Sequence, residues 1–299
     1  MSVYESTVKE PYERHGYTWY EADFHDLSQM QLFLLEDPPI HSEIFTEVAS
    51  INGGNKFHGV PLEQAVSYLI SGYSDNYDQF LSLRQELSRA LEIKIPRRRY
   101  IKSQVGSRVH MANFVANKPK YMLRLEPAPI AKIANIHFNL SYPQGEDAVQ
   151  IRHRGILTLN LIKLMEMNGY HVRLNAFSLA KEDDEIIYVK VNLKSPGEIL
   201  NERKCFFPFC AREFPRRLIF RIRESMPVQN EYWGYSYGSS QEANSIQELL
   251  DLPKEDIIIS SPSYMGVYGG DIYDDANRFF ERLNLDDSIK VKKLQKRDD

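Results

Sequence analysis

Residues 133–178 read IANIHFNLSYPQGEDAVQIRHRGILTLNLIKLMEMNGYHVRLNAFS, and this stretch decides the fold. An apolar run over 133–140 predicts a buried strand, and a polar loop over 139–150 follows it. The apolar residues of 146–167 are too dense for a single stripe, which predicts a long and largely buried helix. Asn168 and Gly169 end that helix, and residues 171–178 predict a second strand. This order is typical of an open α/β sheet, where ligands bind outside the carboxyl ends of the strands.

The segments after residue 178 extend this sheet. The charged turn KEDDE at 181–185 joins the second strand directly to a third one over 186–193. So short a link requires an antiparallel hairpin, which we expect at the edge of the sheet. A strand over 257–260 and a helix over 274–283 complete the pattern. The predicted fold class is α/β, with a mainly helical N-terminal region followed by a Rossmann-like sheet that carries an antiparallel edge hairpin.

The N-terminal third is predicted to be helical because its apolar residues recur at helical spacing between capping signals. Asp26 or Ser28 suits the start of one helix, Pro61 the start of a second, and Gly72 its end. The first twenty residues show no clear period and predict an arm that docks elsewhere, with disorder as the alternative. We divide the chain into a helical region (1–94), an irregular connector with short strands (95–130), an α/β domain (131–285) and a charged tail (286–299).

The composition supports a full hydrophobic core. A chain of 299 residues with 42% hydrophobic content can bury enough surface to fold without metals or disulfides. The net charge of −4 gives no global positive field, so any contact with nucleic acid must come from a local patch. Cys205 and Cys210 have no second cysteine pair, which favours buried thiols over a zinc site. No apolar run is long enough to predict a membrane span.

The order of strand, polar loop, long helix, strand and tight hairpin resembles that of von Willebrand factor A domains, over about residues 133–285. In that family the loop after the first strand reads DxSxS and helps to hold a divalent ion. At the matching positions this chain has Asn139, Ser141 and Pro143, so the carboxylate is missing. A hard cation prefers carboxylate oxygen, and the departure therefore implies a metal-independent crevice with no cofactor.

A second resemblance spans most of the chain. The stretches FHGVPLEQAVSYLISGY (57–73), QVGSRVHMANFVANKPKYM (104–122) and RHRGILTLNLIKLMEMNGY (152–170) are similar to a family of uncharacterised proteins encoded by bacteriophages and other mobile elements. This resemblance implies a genomic context rather than a reaction. It also implies a location in the cytoplasm of the bacterial host cell or in the virion.

A ligand-binding crevice is predicted around the start of the long helix. Arginine side chains and helix N-terminal amides both favour anions, so this region suits a phosphate or carboxylate clamp. The alternative is that Arg152 and Arg154 pair with Glu146 or Asp147, and that Gly155 packs against the sheet. The residues of the predicted crevice are Asn139, Ser141, Arg152, His153, Arg154, Ser261, Ser263 and Asp271.

Two further surfaces are candidates for binding. The first is a basic run near Tyr100 and Tyr121, which would suit nucleic acid unless the run is simply a solvated face. Its candidate residues are Arg97, Arg98, Arg99, Lys102, Arg108, Lys118 and Lys120. The second combines aromatic residues with two arginines spaced by four, and would suit a protein partner unless the rings seal the sheet edge. Its candidate residues are Tyr232, Trp233, Tyr235, Tyr237, Arg217 and Arg221.

No complete catalytic motif is present in the sequence. His137 is predicted to be a satisfied core histidine, and no acid, base and nucleophile can be brought together from spacing alone. The sequence therefore favours a non-enzymatic binding or scaffold protein of a phage or mobile element, which acts on an unknown protein partner. Nucleic-acid binding through the basic run and Arg152 and Arg154 is the alternative. An enzyme is the least favoured reading, and the oligomeric state stays open.

Overall fold

The computed structural model describes residues 2–41, 59–91, 100–125, 132–143, 145–228, 241–283, 285 and 293–295. The strands are β1 (Tyr12–Arg14), β2 (Tyr17–Phe24), β3 (Tyr100–Ser103), β4 (Arg108–Val109), β5 (Met122–Leu125), β6 (Lys132–Asn139), β7 (Tyr170–Glu182), β8 (Glu185–Lys194) and β9 (Ile257–Ile259). The helices are α1 (Val3–Thr7), α2 (Leu27–Leu35), α3 (Leu62–Ser71), α4 (Tyr77–Ala90), α5 (Met111–Val115), α6 (Ala148–Met167), α7 (Glu202–Cys210), a π-helical segment (Phe214–Ile219), α8 (Phe220–Glu224), α9 (Ala243–Leu249) and α10 (Ile272–Arg282).

The central sheet has six strands in the order β1-β2-β8-β7-β6-β9. Strand β6 pairs in parallel with both β7 and β9. The chain therefore places β7 and β8 on one side of β6 and β9 on the other side. Strands β7 and β8 form the expected antiparallel hairpin, and Asp183 in its turn has a φ of 44°. The α/β fold class predicted from the sequence is therefore confirmed.

The first twenty residues, predicted to form an arm that docks on something or to be disordered, contribute strands to this sheet. Strand β2 pairs in parallel with β8, with Trp19 opposite Ile186, so the β7–β8 hairpin lies inside the sheet. Strand β1 forms the edge and folds back through His15 and Gly16, whose φ values of 55° and 77° suit a tight hairpin. The division at residue 94 therefore does not coincide with a break in the sheet.

The main hydrophobic core lies on one face of the sheet. Helix α6 crosses this face and is buried on nearly all sides, as its dense apolar sequence predicts. Phe33 of α2 and Phe80 and Leu87 of α4 belong to the same core as Ile136 and Phe138 of β6. The helical N-terminal region and the sheet thus share one core.

The opposite face of the sheet carries a smaller apolar cluster. Trp19, Phe177 and Tyr188 pack there with Ile246 of α9. On this face the odd-numbered residues of β6 follow one another from Asn135 to Asn139, because side chains alternate along a strand.

Residues 100–125 form a small antiparallel sheet of their own, in the order β3-β5-β4. Gly106 is required there, since a Cβ atom would lie 2.2 Å from the carbonyl oxygen of Leu123. His110 caps α5 through the backbone N–H of Asn113, whose side chain donates to the carbonyl of Lys120 at 2.8 Å. The residues predicted to be a connector thus fold as a closed unit, which we call the basic module.

Helical structure over 212–225 is present but is not a regular α-helix. It begins with the π-helical segment, which has a proline, Pro215, in its first turn. Proline is tolerated in a first turn, where its missing N–H has no intrahelical partner, so it does not account for the wider turn, and the sequence alone does not predict that turn. Among the described helices, none combines the length and apolar composition that crossing a membrane would need.

Candidate functional site

Helix α6 places Arg154 at the crevice between the carboxyl ends of β6 and β9. Asp147 caps the helix in a reciprocal arrangement with Gln150, which fixes where its first turns lie. From the second turn, the guanidinium of Arg154 donates to the carbonyl of Asn139 at 2.9 Å and to that of Ser260 at 2.8 Å. These two carbonyls follow neighbouring parallel strands. One side chain therefore ties the two strand ends together.

The guanidinium of Arg154 fills the position where a ligand is expected. The residue is 1% exposed, and its guanidinium carbon lies 4.3 Å from the centre of the Phe138 ring. Burial lowers the pKa of Arg154 to about 10, although the nearby Glu146 acts in the opposite direction. Because Nη1 donates to two backbone carbonyls, Arg154 acts as an internal brace of the strand ends, whereas its buried Nε atom has no hydrogen-bond partner among the described residues.

Asn139 and Ser141 are buried and bonded to the protein. The Oδ1 atom of Asn139 accepts the backbone N–H of Ser141 at 2.9 Å. The Ser141 hydroxyl lies 2.8 Å from that of Ser178, which also accepts from Arg223 at 2.6 Å. The structure thus places at this end of β6 a connected polar network.

Ser261, Ser263 and Asp271 occupy the loop after β9. The two serine hydroxyls lie 3.4 Å apart, and the backbone N–H of Ser263 donates to Glu146 at 3.0 Å. Asp271 is exposed and caps α10 through the backbone N–H of Tyr273, at 2.8 Å. Within the described part of the chain, no three His, Cys, Asp or Glu side chains are grouped to hold a metal ion.

Arg152, His153 and Arg154 point in three different directions. Arg152 donates to Gln79 of α4 at 2.5 Å, whereas the Nδ1 atom of His153 lies 2.8 Å from the carboxylate of Asp275 in α10. Arg154 bonds to the strand ends. The structure therefore does not bring the three residues together as one clamp, because neighbouring helical positions differ by about 100°.

Asp275 is a buried hub behind the crevice. Besides His153, it accepts hydrogen bonds from the backbone N–H groups of Tyr268 and Gly269 and from Arg278. Burial on its own would raise the pKa of Asp275, but these hydrogen bonds outweigh it and hold that pKa below its usual value. The His153–Asp275 pair consequently fixes the loop that follows β9.

Arg217 and Arg221 are buried and bonded within the protein. Arg217 donates to the carbonyl of Val60 at 2.6 Å, and Arg221 donates to Asp37 at 3.1 Å and to the carbonyl of Pro38. The π-helical segment and α8 therefore use these arginines to hold the N-terminal region. The four aromatic residues predicted for the partner surface and the first three arginines of the basic run lie outside the described residues: Tyr232, Trp233, Tyr235, Tyr237, Arg97, Arg98 and Arg99.

The basic module carries a concentrated positive charge. Its 26 residues, 100–125, contain five Lys and Arg and no Asp or Glu, which gives a formal charge of +5. Since the whole chain has a net charge of −4, the other 273 residues carry −9. All five cationic side chains are exposed. They are Lys102, Arg108, Lys118, Lys120 and Arg124.

Exposed rings accompany these charges. Lys102 and Arg108 both lie opposite Leu123 in the strand pairing, so they share one face of the small sheet. The guanidinium carbon of Arg108 lies 5.4 Å from the centre of the Tyr100 ring, which is 45% exposed. At the end of the module, Tyr121 packs edge to face with the exposed Phe114 at 5.5 Å.

Several residues that complete the crevice were not predicted as part of it. Ser178, Ser260 and Arg223 are in direct contact with the predicted positions. Ser178 could have been found, because a parallel neighbour of β6 must place a residue beside its carboxyl end. Arg223 could not, since the sequence does not show that α8 packs there.

The fold and these sites define an α/β protein that closes its strand-end crevice with its own arginine and exposes a separate basic module. The chain belongs to the family described as a domain of unknown function (DUF7192), whose model matches residues 7–287. The match thus includes the N-terminal strands, the basic module and the central sheet. No curated protein and no solved structure matches the chain.

Proposed function

We propose that this is a non-enzymatic binding protein that contacts single-stranded nucleic acid through the basic module. The observation that carries the proposal is the exposed charge of +5 over residues 100–125, with no carboxylate among them. A surface of this kind attracts phosphates and releases their counterions, even though the protein as a whole is acidic. A solvated structural face would be expected to intersperse both signs of charge.

The shape of the module favours single strands over duplex DNA. Reading a major groove requires an α-helix or a two-stranded ribbon that reaches the base edges. Helix α5 has five residues and the longest strands of the module, β3 and β5, have four each, so neither the helix nor the ribbon is long enough for that role. Tyr100 and Tyr121 instead offer exposed rings, on which unpaired bases can stack while lysines and arginines contact the backbone.

Fluorescence anisotropy with labelled oligonucleotides of about 20 nucleotides tests the proposal, at about 50 and 200 mM salt. Each phosphate contact lowers the slope of log affinity against log salt by about 0.7 for a single strand. The double variant Lys118→Ala/Lys120→Ala should therefore bind more weakly, and its slope should be less negative than that of the wild type by about 1.4. Arg203→Ala/Lys204→Ala removes two exposed cations outside the module and should change neither value.

The second candidate is a protein-binding or scaffold role. It is favoured by the exposed apolar side chains of α5, since Met111 is 63% and Val115 is 78% exposed. Absence of binding to single and double strands at both salt concentrations would reject the first candidate and leave this one. Affinity equal for both double variants would also reject the basic module as the contact.

Metal-independent action is part of the same proposal. It is supported by the bonding of Asn139 and Ser141 to protein groups, because these are the positions that match the metal loop of von Willebrand A domains. Titration with magnesium and with manganese should leave the melting temperature unchanged. A rise that Ser141→Ala removes would overturn this part of the proposal.

A further inference from the structure

Asp256 is a buried carboxylate at the start of β9. It accepts a hydrogen bond from the Nδ2 atom of Asn135 at 2.8 Å and another from the Nε2 atom of His137 at 3.0 Å. Its side chain is only 5% exposed. Among the described residues, no lysine or arginine lies within ion-pair distance of it. A buried carboxylate without a cationic partner is costly, so this position calls for an explanation.

His137 does not supply the missing charge. An ionised carboxylate can only accept, so the proton of the pair lies on Nε2 and the second ring nitrogen carries a lone pair. That Nδ1 atom is buried and has no hydrogen-bond partner among the described residues. Burial is the largest influence on the pKa of His137 and lowers it, Asp256 raises it, and Lys190 and Arg173 lower it further, so the pKa lies below its usual value. The lowered pKa favours the neutral imidazole, so Asp256 has two hydrogen-bond donors and no cationic partner among the described residues.

Asn135 adds a further free acceptor beside this charge. Its Nδ2 group is used by Asp256, and its buried Oδ1 atom has no partner in the described part of the chain. Asn135 and Asp256 both line a groove of about 580 Å³ at the amino ends of β6 and β9. Apolar walls are provided by Ile133, Met165 and Leu285. The other charged residues of the groove lie exposed: Lys132, Lys254 and Glu255.

We propose that this groove binds an organic cation, namely a primary ammonium group carried on an aliphatic chain. The ammonium group donates to the Asp256 carboxylate and to Oδ1 of Asn135, and it neutralises the buried charge. The aliphatic chain packs along the apolar wall, as the stem of a lysine does. His137 acts as a positioning residue, because it holds the carboxylate without cancelling its charge. The residues involved are separate from the basic module, so this proposal does not depend on the proposed function.

The test uses the full chain and 1-aminopentane, with 1-pentanol as an uncharged match of the same length. Isothermal titration should show binding of the amine and much weaker binding of the alcohol. Asp256→Asn should weaken binding of the amine at least about tenfold, which corresponds to the loss of one charge-assisted hydrogen bond. Glu248→Gln removes an exposed carboxylate outside the groove and should leave the affinity within about twofold, since exposed charges contribute little.

A second readout keeps the proposal testable if Asp256→Asn does not fold. In the wild-type protein, the ¹⁵N signals of the His137 ring should show a neutral Nε2–H form near pH 7. They should shift when the amine binds and stay in place with the alcohol. The ammonium group could belong to a lysine side chain of a protein or to a free amine, and a lysine amide with a blocked α-amino group distinguishes these two sources. Binding of this compound as tight as that of 1-aminopentane would indicate a protein lysine, and no binding would indicate a free amine. Equal effects of amine and alcohol, an unchanged His137 signal, or an equal loss in Glu248→Gln would each overturn the proposal.

Discussion

Substitution of Gly155 by alanine tests whether this position in α6 serves packing or ligand access. An added Cβ would lie 2.6 Å from the Cys210 sulfur and 2.8 Å from the carbonyl oxygen of Phe209. The Phe209 oxygen belongs to the backbone and cannot rotate away, so helices α6 and α7 must separate. Overpacking costs about 1–3 kcal/mol, whereas alanine gains about 1 kcal/mol over glycine in a helix. We therefore expect Gly155→Ala to lower the free energy of unfolding by up to about 2 kcal/mol, which is the cost of overpacking less the gain in helix propensity.

Equilibrium unfolding in urea measures this change, with Gly145→Ala as the control because no atom lies within 4 Å of its added Cβ. The control should stay within about 0.5 kcal/mol of the wild type. Cys210→Ala removes one of the two contacts, so the double variant Gly155→Ala/Cys210→Ala should lose less stability than the two single changes together. If Gly155→Ala instead stabilises the protein by about 1 kcal/mol, the helix propensity acts alone and the close packing of α6 on α7 is refuted.

Three further outcomes are expected. Burial raises the pKa of Glu224 from 4.5 to about 7. This side chain should therefore contribute up to about 3 kcal/mol to the free energy of unfolding below pH 4.5, and this contribution should be lost as the pH rises through 7. Unfolding measured at several pH values should show the loss in the wild type and not in Glu224→Gln. Trp19→Ala should lower the free energy of unfolding in urea by about 3–5 kcal/mol, because the indole is fully buried in the sheet. A loss below about 1 kcal/mol would instead indicate a loosely docked N-terminal arm. Burial raises the pKa of Cys205 to about 12 and that of Cys210 further. Both thiols should therefore react with iodoacetamide far more slowly in the native protein than in urea. Equal reaction rates in the two conditions would contradict the burial of the thiols.

The sequence predicts those parts of the fold whose partners are close along the chain. Strand β6, helix α6 and the β7–β8 hairpin follow one another, and the pattern of 133–193 contains all the information that they need. Strand β2 also shows a period of two, since Tyr20, Ala22 and Phe24 share a face, and His15 and Gly16 give a turn signal. Its partner strand begins at residue 185, and no local pattern shows that pairing.

The candidate site was predictable in position but not in chemistry. The rule for open α/β sheets directs attention to the carboxyl end of β6, and the structure places Asn139 and Ser141 there. That Arg154 fills this place depends on the distance between the carbonyls of Asn139 and Ser260, which only the folded sheet fixes. Similarly, His137 was predicted to be a satisfied core histidine, whereas its partner Asp256 is 119 residues away. One ring nitrogen remains without a partner in the described structure.

The pairing of β2 with β8 has a consequence for synthesis on the ribosome. Trp19 lies opposite Ile186, so the ribosome must add 167 residues after Trp19 before its partner residue has been synthesised. At about 5–20 residues per second, this takes roughly 8–33 s. During that time the N-terminal hairpin exposes an unpaired strand edge and an aromatic side chain that will later be buried. Until β8 has emerged from the ribosome, this edge can pair with another chain, so a low concentration of nascent chains or binding by a chaperone would limit aggregation.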